Sequence, residues 1–133
     1  QASRPGDNGA RWDAIIVDRA ESIPIEIKSP TEEQHLSLKA IRQALENKVI
    51  LLSRETHPTL PQTTSLAVGY YLPNDRAEVV NLMSAFKIAY GYNIGVMDLK
   101  TLLMIAVTII YDEKTFDITE LNRLEGFANA TFN

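Results

Sequence analysis

The 133-residue chain contains no cysteine, which excludes a disulfide-stapled scaffold, thiolate metal sites and a cysteine nucleophile. Any metal is left with oxygen or histidine ligands. Histidine is scarce too: His35 and His57 are the only two. Neither has carboxylate or cysteine companions at ligand spacing, and both read as surface or loop residues. Long apolar runs are missing. The longest, "LLMIAVTII" at 102–110, is too short to span a bilayer and is bounded by Asp98, Lys100 and Asp112, so no membrane partner is expected. There is no P-loop, no GxGxxG and no GxSxG elbow. With a net charge of −4 the chain as a whole does not attract a polyanion, although a local basic surface remains open to it.

An initiator methionine and a secretory signal are also lacking at "QASRPGDNGA". We expect residues 1–10 to be a flexible linker, the chain to be a cut-out fragment or processed product with a neighbouring domain, and its location to be cytoplasmic. For want of a signal we discount the sequon "NAT" at 129–131.

What is present fits one globular domain over residues 11–133, since 45% of the residues are hydrophobic and 23% charged. "WDAIIVD" (12–18) and "IPIEIK" (23–28) read as a β-hairpin turning through "RAES". Ser29, Pro30 and Glu32 form a capping box that predicts a helix starting there and running to about Arg54, with Leu38, Ile41, Leu45, Val49 and Leu52 as its apolar stripe. "SLAVGYYL" (65–72) is a central-strand candidate. Asp75 with Glu78 opens a helix to about Tyr90, with Val79, Leu82, Met83 and Phe86 on one side. "NIGVM" (93–97) is a short strand, Asp98 caps "LKTLLMIAVTIIY", and Asp117 with Glu120 caps a last helix ending near Gly126. The order β-β-α-β-α-β-α-α implies an α/β fold, a mixed central β-sheet flanked by helices.

Strand alternation puts Ile23, Ile25 and Ile27 on one face of the second strand and Glu26 and Lys28 on the other. The hairpin brings the 13–15 region alongside 26–28. Two carboxylates and an ammonium then converge, a set suited to Mg²⁺, which prefers hard oxygen ligands and accepts substrate phosphate oxygens. A neighbouring lysine helps activate or orient water. Phosphodiester hydrolysis is the chemistry this predicts. The plainer alternative is a cross-strand ion pair on a solvated sheet face, of little energetic weight, in a non-catalytic α/β interaction module.

Asp13, twelve residues, then Glu26-Ile27-Lys28 resembles the PD-(D/E)xK nuclease motif, with Trp12-Asp13 where that superfamily often has Pro-Asp. The order of elements over residues 11–127 is similar to the cleavage domain of FokI-type (type IIS) restriction endonucleases. The resemblance implies a restriction-endonuclease-like fold and Mg²⁺-dependent DNA cleavage, with Mn²⁺ as a substitute. It also implies double-stranded DNA as substrate, a recognition domain absent from this chain, and action as a transient homodimer. In it Asp13, Glu26 and the Ile27 carbonyl hold the metal and Lys28 positions the water. Another nuclease of the superfamily, a junction resolvase or a repair nuclease, is the alternative enzyme. We expect Gln34, in the first turns of the following helix, to lie near the metal or DNA. Lys39 and Arg42, with Lys48 roughly on the same side, are candidate phosphate contacts. Asp18 is a weaker ligand candidate that more simply ends its strand. The polar face of the Asp75 helix, with Arg76, Asn81 and Lys87, is the expected dimer contact, within residues 75–98.

Overall fold

A computed structural model describes residues 12–17, 21–29, 31, 34–54, 57–111 and 121–128. The elements are β1 (Ala14–Ile16), β2 (Ile23–Lys28), α1 (Leu38–Leu52), β3 (Ser65–Gly69), α2 (Arg76–Tyr90), β4 (Ile94–Asp98), α3 (Leu99–Tyr111) and β5 (Gly126–Ala128). They build one mixed five-stranded sheet in the order β1-β2-β3-β4-β5. β1 and β2 are antiparallel, and every later pair is parallel. Parallel neighbours need long crossovers, and α1 and α2 supply those from β2 to β3 and from β3 to β4.

Helices cover both faces. Ala40, Ile41 and Ala44 of α1 and Val79 and Met83 of α2 pack with Ala67, Ile94 and Val96 on one face. On the other, Ile105 of α3 joins Leu121 and Leu124 against Ile25, Leu66, Val68 and Met97. β3 is therefore buried along its whole length, as a central parallel strand must be. Among the described residues no helix is long and apolar enough to cross a membrane.

The Asp75 cap forms as expected, its Oδ1 accepting from Glu78 N–H at 3.0 Å. Asp98 Oδ1 accepts from Thr101 N–H at 2.8 Å and so opens α3. At the far end of α2, Gly91 has φ 75°, a left-handed cap whose N–H reaches Lys87 O at 2.8 Å.

Three expectations need correction. The helix does not start at Ser29: Gln34 to Ser37 are non-helical, and α1 begins at Leu38. Pro30 and Glu32 lie outside the described residues, and Ser29 Oγ bonds Thr31 Oγ1 instead. The reason is that residues 34–36 are used by the sheet. His35 bridges Tyr71 in parallel, Tyr71 N–H donates to Gln34 O, and Leu36 N–H donates to Tyr71 O, both at 3.2 Å. Leu36 itself presses on Gly69, where an added Cβ would lie 2.6 Å from Leu36 Cγ.

The stripe of α1 is the second correction. The buried positions are Ala40, Ile41, Ala44, Asn47, Lys48 and Leu51, whereas Val49 is exposed. Small alanines, rather than the bulkiest side chains, face the sheet and let the helix sit close to it.

The third concerns the last helix. Asp117 and Glu120 lie outside the described residues, as do Asp18, Arg19 and Ala20 of the "RAES" turn, residues 1–10 and the sequon. Leu121 and Asn122 are helical, but the chain turns at Arg123. Gly126 then opens β5, pairing Gly95↔Gly126, Val96↔Phe127 and Met97↔Ala128. A three-residue edge strand has too few side chains to show a period.

Candidate active site

β1 and β2 assemble the site at the antiparallel edge of the sheet. Ala14 pairs with Ile25, and just before it Asp13 N–H donates to Ile25 O at 3.0 Å. The exposed Asp13 carboxylate then reaches past Glu26, its Oδ2 accepting from Ile27 N–H at 2.8 Å. In an extended strand the N–H and C=O of one residue point to the same side, so the Ile27 carbonyl points to the edge where Asp13 stands. Asp13 thus lies alongside residues 26–28 as the hairpin predicts, with its carboxylate on the Ile27 N–H.

Glu26 and Lys28 occupy the face of β2 that α1 covers. Glu26 Oε2 and Lys28 Nζ lie 3.1 Å apart, with side chains only 8% and 15% exposed. The solvated ion pair that was the plainer reading is thus replaced by an enclosed one. Removing charges from water costs several kcal/mol per ion, about what their attraction returns, so stability alone gives no reason for the pair. Burial pushes the Glu26 pKa up. The Lys28 hydrogen bond opposes that rise, the Asp13 charge adds to it, and Asn47 opposes it. An enclosed carboxylate with a perturbed pKa beside a specific charge partner marks candidate functional chemistry.

Two residues of this cluster are missing from the sequence reading. Asn47 of α1 donates from Nδ2 to Glu26 Oε1 at 3.3 Å, and Gln43 Nε2 donates to Asn47 Oδ1 at 3.1 Å. The available signal was a polar residue in register with Ala40, Ala44 and Leu51, hidden once the stripe was drawn through Leu45 and Val49.

The other candidates fall elsewhere. Gln34 is exposed and precedes α1 instead of belonging to it, and its carbonyl serves the Tyr71 bridge. Lys39 and Arg42 are exposed, three apart on the outer side of α1. Lys48 does not join them. It is fully buried and donates to Thr59 Oγ1 at 2.9 Å and to Leu60 O at 2.5 Å. Burial lowers its pKa to about 7, against the attraction of Glu21. His35 is a built residue, not a free surface one: Nδ1 bonds Leu72 O at 2.9 Å and the ring stacks on Tyr71. On α2, Arg76 lies over the Phe127 ring and Lys87 donates to Asn93 Oδ1. The outward side chains of α2 include Val80 and Ile88, the latter 86% exposed, so this face is more apolar than expected.

Among the described residues there is no group of three or more His, Cys, Asp or Glu able to hold a metal. The donors that lie near one another are the Asp13 carboxylate, held on the Ile27 N–H, and the Glu26 carboxylate, which feels the Asp13 charge; the Ile27 carbonyl is on the Asp13 side of β2. All are hard oxygens and two are anionic, which fits Mg²⁺, an ion commonly held by one or two carboxylates with waters and substrate phosphate completing its shell. Comparison with protein families, with curated proteins and with solved structures finds no match to this chain.

Proposed function

We propose that this chain is a Mg²⁺-dependent endonuclease domain that hydrolyses phosphodiester bonds of double-stranded DNA, of the PD-(D/E)xK kind and with a restriction-endonuclease-like fold. The observation that carries the reading is the enclosed Glu26–Lys28 pair, 3.1 Å apart, beside an Asp13 carboxylate tied to the Ile27 backbone. In this reading Asp13, Glu26 and the Ile27 carbonyl hold the ion. A divalent metal so bound supplies a water of lowered pKa and neutralises charge on the phosphate. Lys28 Nζ holds the attacking water by a hydrogen bond and offsets negative charge that develops on the phosphoryl oxygens. Lys39 and Arg42 contact backbone phosphates, which position DNA without reading sequence.

The finer reading is the cleavage domain of a type IIS restriction endonuclease, joined to a separate recognition domain and acting as a transient homodimer. The apolar side chains exposed on α2 favour such pairing. The test is nicking of supercoiled plasmid by the purified chain with Mg²⁺ and with EDTA. Wild type nicks only with metal, and Glu26→Ala or Lys28→Ala lowers the rate at least about 100-fold, as expected when a group that stabilises the transition state is lost. Undiminished Mg²⁺-dependent nicking by Glu26→Ala refutes the assignment.

A further inference from the structure

Asn47 is out of place in its helix. It lies fully enclosed on the buried stripe of α1, where asparagine is a poor helix former and a polar group costs free energy unless bonded. A leucine would serve the core better. Yet both ends of its amide are used, Nδ2 by Glu26 Oε1 and Oδ1 by Gln43 Nε2. The oxygen and nitrogen of an amide are distinguished by their partners. Here a donor against Oδ1 and an acceptor against Nδ2 agree on one orientation. The reverse orientation would set oxygen against the carboxylate.

We propose that Asn47 is a positioning residue for Glu26 and that Gln43 fixes the sense of its amide. Glu26 Oε1 is thereby locked to α1, and Oε2 is the oxygen offered to Lys28 and to a divalent cation. This rests on the nuclease reading above. The two carboxylate oxygens differ in the kind of partner they have. Oε1 meets a neutral, enclosed amide one residue from Lys48, which anchors α1 to Thr59 and Leu60. Oε2 meets an ammonium, one cation that another can replace. A carboxylate held through one oxygen turns less readily to chelate through both, so Glu26 favours presenting Oε2 in one direction. Groups that orient metal ligands in this way commonly govern affinity by 10–100-fold.

Titration calorimetry with Mn²⁺ alone, without DNA, tests this on the full chain, alongside its melting temperature without metal. Measured well below its melting temperature, Asn47→Leu is expected to bind Mn²⁺ about 10–100-fold more weakly than wild type, whereas loss of a purely structural residue lowers the melting temperature and leaves the affinity of the folded protein unchanged. Gln43→Leu, which removes the donor to Asn47 Oδ1 and so loosens the amide, shows a smaller loss in the same direction. Wild-type Mn²⁺ affinity in Asn47→Leu overturns the proposal. Should that variant fail to fold, unchanged affinity in Gln43→Leu overturns it instead. If the wild type itself binds no Mn²⁺ the nuclease reading falls and this inference with it, whereas tight binding by wild type and variants alike removes only the role of Asn47.

Discussion

Replacing Lys48 by Met tests how the core around the site is held. The wild-type amine is fully buried, with its pKa lowered from 10.5 to about 7. Between these values the unfolded chain carries a proton that the folded chain lacks, so stability rises with pH across that window and is lost as pH falls towards 7. From pH 7 to pH 9.5 the interval is about 2.5 pK units at about 1.36 kcal/mol each, which sets a ceiling of about 3 kcal/mol. A neutral amine still has two N–H donors, matching the Thr59 and Leu60 acceptors. Methionine keeps the aliphatic stem and removes both donations, but the Leu60 carbonyl keeps the Thr63 N–H at 3.0 Å, so the loss is about 1 kcal/mol.

The assay is urea unfolding of both proteins at pH 7 and 9.5. It is followed by fluorescence of Trp12, the only tryptophan, which is buried beside Leu51 of α1. With a urea slope of about 1–3 kcal/mol/M, the wild-type midpoint should rise by up to about 1–3 M over this range. The Lys48→Met midpoint should show little of that rise. A wild-type midpoint that is flat or falls, or an equal rise in Lys48→Met, refutes the reasoning.

Glu26→Gln should trade activity for stability. The folded pKa of Glu26 is raised, so its stabilising, protonated form is present below the unfolded pKa and is lost as pH rises through the folded one. The amide variant should be more stable than wild type at pH 7, with the gain shrinking towards pH 4 and no nicking at either. A variant less stable at pH 7 contradicts this. Gly69→Ala should destabilise by about 1–3 kcal/mol, because its Cβ would stand 2.6 Å from Leu36 Cγ and overpack the contact. A thermal melt equal to wild type counts against it.

Local patterns determined much of this protein. The alternation in "IPIEIK" put Glu26 and Lys28 on one face, and Asp75 and Asp98 marked where α2 and α3 begin, because strand parity and helix capping are decided within a few residues. The α/β class followed from the order of those elements. Tertiary structure decided the rest. Whether Glu26 was solvated or enclosed depended on α1 lying over it, and which face of α1 did so depended on the close approach its alanines allow. Residues 34–36 had helix signals before them, but the unpaired backbone of Tyr71 claimed them for the sheet. β5 exists because β4 offers it an edge. Asn47 and Lys48 are adjacent in sequence and ordinary in type, and only the packing of α1 gave one a carboxylate to hold and the other a desolvated amine. Burial and long-range pairing depend on contacts across tens of residues, where no local pattern reaches.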